Sequence, residues 1–257
     1  MIECGELAPG IAGLTLNRPP ANALSPELLA ELTSALERTA RDGARAIVIA
    51  GQPGMFSAGL DVPLLLTLRR EEMREFWRTF YAALHALARS PVPVLIAITG
   101  HCPAGGTVLA LFADCRIAAE GDFKLGLNEV QVGLPMPPLV FGAFRRLVGA
   151  QAAAGLAVSA QLIPPEEALR IGLVDEIVSP DRVVTKAVDK AQTLASLPAG
   201  ALAATRALAR ADLLALFDAV TDATYAEMNE VWFGAETQGA MRALVARLAE
   251  RRAAASR

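Results

Sequence analysis

The sequence is poor in the residues that build metal centres and disulfide frameworks: it has two histidines and three cysteines in 257 residues. Cys4, Cys102 and Cys115 are odd in number and none stand in Cys-x-x-Cys spacing, which excludes a disulfide scaffold and a zinc ribbon. No metal-ligand spacing occurs, so no metal is expected. An excess of positive charge is also missing. Twenty-four Lys and Arg stand against 27 Asp and Glu, a net charge of -3, and they are dispersed along the chain. Binding nucleic acid needs a concentrated basic face, so no nucleic-acid partner is expected. The densest basic cluster, residues 247–257, reads as the solvated end of a helix. No uninterrupted apolar run is long enough to span a bilayer, because Gly, Pro or Asp breaks each candidate. The first residues, MIECGE, lack the basic and apolar regions of a signal peptide and the Arg-rich character of a transit peptide. A cytoplasmic protein without membrane contact is the expectation. P-loop and Rossmann fingerprints are absent too, as are internal repeats.

What the chain does have is 53% hydrophobic residues, enough for a sizeable core in one large α/β domain with an appendage. Residues 11–17 read as a strand ending in the turn Arg18, Pro19, Pro20. Ser25 and Pro26 then open a helix to about Ala40, with Ser as N-cap, Pro at the first helical position and Leu28, Leu29, Leu32 and Leu36 at helical spacing. Residues 46–50 and 92–99 are continuous apolar strands of the kind buried on both faces, separated by a loop at 51–59 and a long amphipathic helix at about 70–90. A helix follows Gly106, a third strand spans 115–119, helices occupy 139–147, 150–158 and 164–171, and a short strand covers 174–178. From Arg182 onward the pattern is almost wholly helical. The expected division is a core over residues 1–195 and a helical region over 196–257.

Two glycine-bearing loops and one carboxylate can carry chemistry. Gly105 and Gly106 end the segment HCPAGG (101–106) and precede an apolar helical run. Backbone N–H groups at a helix start are unpaired and can bind a developing oxyanion, although a glycine pair also simply permits a tight turn. The loop FSAGLD (56–61) supplies a second glycine. If Leu60 stands opposite Gly105, their N–H groups form a paired oxyanion hole, in which each donor is worth about 3 kcal/mol of transition-state stabilisation. Glu129 lies among apolar residues and glycine in GLNEV (126–130). It is either a partly desolvated carboxylate with a raised pKa, suited to a general base, or a solvent-facing charge on an edge strand. Asn128 either orients that base or a water, or occupies a turn. His85 reads as a surface or packing residue, His101 lacks a nucleophilic partner, Cys102 reads as a small buried hydrophobe, and Asp114 and Arg116 as structural polar contacts.

These segments together resemble the crotonase, or enoyl-CoA hydratase/isomerase, superfamily. The likeness runs through LNRPPANALS (16–25), FSAGLD (56–61), residues 93–106, ADCRI (113–117) and the A-x-x-x-G-L-V-D pattern at 168–175. It implies a ββα spiral core whose C-terminal helical region mediates a homotrimer or hexamer. It further implies an acyl-CoA thioester as substrate, with coenzyme A part of that substrate and no separate cofactor. In the family the first loop helps hold coenzyme A, here Ala21, Asn22 and Ala23, and the residue after the glycine of the second loop gives one oxyanion-hole N–H, here Leu60. The first glycine of the pair, Gly105, gives the other. The same likeness puts Ala58, Gly59, Asp61, Val62, Gly106 and Asn128 along the substrate.

Family hydratases carry two catalytic glutamates. Glu129 matches one of them, and Val108 stands where the other would be. The segments around Gly105 and Glu129 are most similar to the mitochondrial type of 3,2-enoyl-CoA isomerase, in which a single glutamate moves the proton, and β-oxidation of unsaturated fatty acids is the implied setting. Hydration needs a water activated while a proton reaches C2, a task for two carboxylates. Migration of a double bond from C3 to C2 needs one base and an oxyanion hole. Another crotonase-fold activity, or acyl-CoA binding without catalysis, remains the alternative. The C-terminal segment departs from the usual family ending. There Trp232 and Phe233 either line an acyl tunnel or pack, and Arg206 either meets a coenzyme A phosphate or lies exposed on its helix.

Overall fold

Alternation along three apolar strands organises the molecule. In the computed structural model, which describes the backbone of residues 1–255 and side chains through residue 250, Ile47 and Ile49 of strand 46–50 face one core while Ala46, Val48 and Ala50 face another. Successive strand side chains point to opposite faces, so a strand apolar at every position belongs between two covered faces.

The chain opens with an antiparallel pair, β1 (Ile2–Ala8) and β2 (Ile11–Leu16). Helix α1 (Pro26–Arg41) follows; Ser25 caps it by accepting from the Leu28 N–H at 3.2 Å. Then come three turns of one motif. β3 (Ala46–Ala50) leads to β4 (Gly54–Met55), α2 (Val62–Leu65) and α3 (Arg70–Arg89). β5 (Val94–Ile98) leads to β6 (Gly100–Pro103) and α4 (Gly105–Leu111). β7 (Cys115–Ala119) leads to β8 (Leu125–Gly126) and a 3-10 turn at Glu129–Val132. The first strand of each turn joins a six-stranded sheet of order β1-β2-β3-β5-β7, and β9 (Glu176–Val178) completes it after α5 (Pro138–Val148), α6 (Ala150–Ser159) and α7 (Pro165–Arg170). The second strand of each turn joins a small sheet of order β4-β6-β8, parallel throughout. This is the expected ββα spiral.

α8 (Val183–Ala195) covers the outer face of the large sheet, placing Val183, Ala187 and Ala191 against Val48, Leu95 and Ile117. The main core lies on the other face, under α1, α3 and α4. Beyond residue 195 the chain forms α9 (Ala199–Ala209), α10 (Ala211–Ala215), α11 (Asp222–Trp232) and α12 (Ala235–Ala255). Arg206 and Arg210 tie this region to the core. Both form ion pairs with Asp114, at 2.7 and 2.9 Å, and Arg210 also donates to the Phe112 carbonyl. Burial pulls the Arg210 guanidinium down to about 10. Arg206 is therefore an anchor, which corrects the reading of an exposed helical arginine.

Three further features differ from the sequence reading. β1 was not anticipated, because its central residues are exposed and carry no apolar alternation. The loop at 51–59 contains β4. The segment after Gly126 is a 3-10 turn rather than an edge strand. Much of the expected solvated basic end at 247–257 falls outside the residues whose side chains are described. Among the described residues no helix is long and apolar enough to cross a membrane.

Candidate active site

Because β4, β6 and β8 lie side by side and parallel, their C-terminal ends share one edge of the small sheet. Each end delivers one candidate group: Leu60 follows β4, Gly105 follows β6 and Glu129 follows β8. The spiral thus brings to one sheet edge three loops whose candidate residues stand 45 and 24 positions apart in sequence.

Local hydrogen bonding aims Leu60. Leu24 donates its N–H to the Gly59 carbonyl at 2.8 Å and accepts from the Asp61 N–H at 3.1 Å. In this strand-like pairing the groups of the intervening residue point the other way, and the Leu60 N–H has no partner among the described residues. The Gly105 N–H, in the first residue of α4, is likewise unpaired. The two loops touch closely. A Cβ on Gly59, whose φ is +88°, would lie 3.1 Å from the Gly105 N, and a Cβ on Gly105 would lie 3.4 Å from the Leu60 N. Glycine at both positions lets two free donors share one opening. Ala104 adds strain there, since φ 49° and ψ -125° is a conformation L residues avoid, at about 1–3 kcal/mol. Its N–H donates to the Gly126 carbonyl at 2.8 Å.

Glu129 is half-buried as a residue, yet its Oε2 is sealed from solvent and has no hydrogen-bond partner. Desolvation pushes its carboxyl up to about 7. A carboxyl near 7 exchanges protons in both directions at neutral pH. The turn that carries it is held from both sides: Gln131 Nε2 donates to the Ala160 carbonyl at 2.8 Å and Thr237 Oγ1 to the Gly133 carbonyl at 2.6 Å. Thr107, which sequence reasoning passed over, couples this turn to α4. Its hydroxyl accepts from the Gly126 N–H at 2.9 Å and donates to the Cys102 carbonyl. The available signal was a lone hydroxyl in the apolar run GGTVLALFA (105–113).

The remaining candidates divide into a rim and a support. Ala21 and Ala23 are half-buried and Ala58 is exposed, so their backbone lies at the surface beside the opening. Asn22 is buried, and its side chain is spent within the fold: its amide donates to the Phe56 carbonyl at 3.0 Å and its Oδ1 accepts from the Arg18 N–H at 2.8 Å. Asp61 caps α2 and pairs with Arg18 at 2.5 Å. Val62 and Gly106 are buried behind the loops, and a Cβ on Gly106 would meet the Ser57 carbonyl at 2.8 Å. Asn128 is half-buried and its side chain makes no hydrogen bond among the described residues. Val108 is 3% exposed and faces the core. Cys102 is buried, its thiol pushed up to about 12 by desolvation, which keeps it from acting as a nucleophile.

The profile of the enoyl-CoA hydratase/isomerase family matches residues 6–230. The chain belongs to this family. It is 37% identical over 208 residues to the probable enoyl-CoA hydratase echA17 of Mycobacterium avium, covering 80% of each chain. It is 33% identical over 204 residues to human mitochondrial enoyl-CoA delta isomerase 1, covering 78% of this chain and 68% of that protein. Among solved structures, the human mitochondrial delta3-delta2-enoyl-CoA isomerase superposes with a TM-score of 0.92 at 30% identity, covering 97% of this chain and 98% of that one. The names within the family thus divide between hydration and isomerisation.

Proposed function

We propose that this family member is a 3,2-enoyl-CoA isomerase with Glu129 as its single acid/base. The observation that supports this reading is the solitary carboxylate: the loop that carries Glu129 leaves the same sheet edge as the two loops whose free N–H groups adjoin, and the position of a second family glutamate holds the buried Val108. In this reading the thioester carbonyl accepts hydrogen bonds from the Leu60 and Gly105 N–H groups. Ionised Glu129 removes a proton from C2. The C–H electron pair moves into the C2–C1 bond and the carbonyl pair onto oxygen, giving a dienolate that the two donors stabilise. Protonated Glu129 then delivers the same proton to C4 while the double bond settles between C2 and C3. No water enters the products, and one base suffices.

Coenzyme A arrives as part of the substrate, against the backbone rim of Ala21, Ala23 and Ala58, and no separate cofactor takes part. A homotrimer fits the four-fifths exposed Val158 on α6 and Leu208 on α9, apolar side chains suited to burial against other copies. The reading is tested with trans-2-hexenoyl-CoA. The protein should lower its conjugated absorbance only as far as the equilibrium between the 2-enoyl and 3-enoyl isomers, with no change of mass. Rapid loss of absorbance with a mass gain of one water would replace isomerase by hydratase.

A further inference from the structure

The two free N–H groups are held in unequal ways. The Gly105 N–H belongs to the first residue of α4, whereas Leu60 lies in a loop. Beyond Phe56, whose N–H donates to the His101 carbonyl at 2.9 Å, no hydrogen bond joins residues 57–61 to the start of α4 among the described residues. What bonds that loop in place is the first loop, residues 18–24. Ala58 donates its N–H to the Ala21 carbonyl at 2.9 Å, the Ser57 hydroxyl donates to the Asn22 carbonyl at 2.7 Å, and Leu24 and Leu60 pair as a single parallel bridge.

One side chain closes both ends of that bridge. Arg18 donates to the Ala23 carbonyl, just before Leu24, at 3.1 Å, and to the Asp61 carboxylate, just after Leu60, at 2.5 Å. The same carboxylate accepts from the Leu64 N–H at 3.2 Å and so fixes the start of α2. The two side chains are 27% and 11% exposed, and neither forms another ion pair among the described residues. A charge-assisted bond in such partial burial is stronger than the neutral ones around it. The backbone beneath the guanidinium is locked as well: the Arg18 N–H donates to Asn22 Oδ1 at 2.8 Å, and the Arg18 carbonyl accepts from the Asn22 N–H at 2.9 Å. On its other side the second loop has no slack. A Cβ on Gly59 would lie 2.9 Å from Ala104 Cβ, so the loop can move away from α4 but not towards it. Release of the clasp therefore spreads the two donors.

We propose that Arg18 is a positioning residue of the oxyanion hole: by holding the Ala23 carbonyl and the Asp61 carboxylate together, it keeps the Leu60 N–H aimed at the thioester oxygen. This rests on the acyl-CoA reading of the site. Arg18 acts through Leu60, so its loss weakens a hydrogen bond that matters most as charge develops on that oxygen, and the effect falls on kcat rather than on KM.

The test reads the donors without turnover. Hydrogen bonds to a carbonyl lower its stretching frequency, so infrared spectra are taken of hexanoyl-CoA, labelled with carbon-13 at the thioester carbonyl, bound to the whole protein. The native protein should move this band below its position in the free thioester. Arg18→Ala should lose at least half of that shift, and free guanidinium ion should restore it. Asp61→Asn keeps an oxygen to cap α2; it should lose a comparable part, which guanidinium does not restore, and decides the matter if Arg18→Ala fails to fold. In assays of 3-hexenoyl-CoA, both variants should lower kcat about 10–100-fold with KM within about threefold. A full shift in the variants, or a loss in Arg18→Ala that guanidinium leaves unchanged, would overturn the proposal while leaving the acyl-CoA reading in place. A native protein that fails to bind the thioester, or binds it with no shift, would overturn the two together.

Discussion

Replacing Glu129 by Gln separates the catalytic account from the electrostatic one, because it should abolish turnover and raise stability at the same time. Burial carries this carboxyl from an ordinary value of 4.5 to about 7. Between those values the folded protein holds a proton that the unfolded chain has released, so folding stability falls as pH rises through this window and levels off above it. When fully ionised, the group withholds about 3 kcal/mol from the folded state, an upper figure for a half-buried residue. A neutral amide escapes that cost but leaves polar atoms partly unpaired, at about 1–2 kcal/mol. The net gain for Glu129→Gln at pH 9 is then about 1–2 kcal/mol, or roughly 2–6 °C in Tm for a chain of this size. At pH 4.5 the gain should vanish or reverse, since native Glu129 is then protonated as well. Paired urea melts at pH 5 and pH 9 measure the difference. Turnover of a 3-enoyl-CoA by the variant should fall at least ~10²–10⁴-fold. A variant no more stable than the native protein at pH 9 would refute the desolvation argument, and retained turnover would refute the role of Glu129.

The same carboxyl predicts that kcat/KM of the native enzyme rises with pH through about 7 and is flat above, because removal of the C2 proton needs ionised Glu129; a profile flat from pH 5 to 9 would contradict it. Gly105→Ala places a methyl 3.2 Å from the Gly59 Cα and 2.9 Å from Leu24 Cδ1. The leucine can rotate and the backbone cannot, so the two donors should spread and kcat fall about 100-fold, with little change in KM; stopped-flow assays at saturating substrate check this, and an unchanged kcat would contradict it. Thr107→Val removes the acceptor of the Gly126 N–H and should cost about 1–3 kcal/mol in stability together with lowered kcat, while Thr107→Ser should restore both. Asp114→Ala leaves Arg206 and Arg210 without their anion and should cost about 3–5 kcal/mol in urea unfolding. A loss below about 1 kcal/mol would show that the tie between α9 and the core is dispensable.

Strands 46–50 and 94–98 were legible because burial on both faces leaves no polar position to blur them. The start of α1 was legible because Ser25 and Pro26 state its cap chemistry in two residues. β4 and β8, each two residues long, are too short for any period to show, and the segment that forms β4 reads as loop. Yet the small sheet they form with β6 is what sends the loops carrying Leu60, Gly105 and Glu129 from one edge. The family likeness supplied that grouping where periodicity did not. The setting of Glu129 was undecided in sequence because its surroundings come from Ala160 and Thr237, which are remote along the chain. Arg206 was misread for the same reason, since its partner Asp114 lies 92 residues away. Asn22 entered as a substrate contact by likeness to the family, whereas its buried side chain ties the first loop to the second.

The account turns on whether one carboxylate moves a double bond without adding water. The most direct measurement follows cis-3-hexenoyl-CoA incubated with the native protein, by absorbance of the conjugated thioester and by product mass. The account predicts a 2-enoyl thioester of unchanged mass. A product heavier by one water, or recovery of the 3-enoyl thioester unchanged, would contradict it.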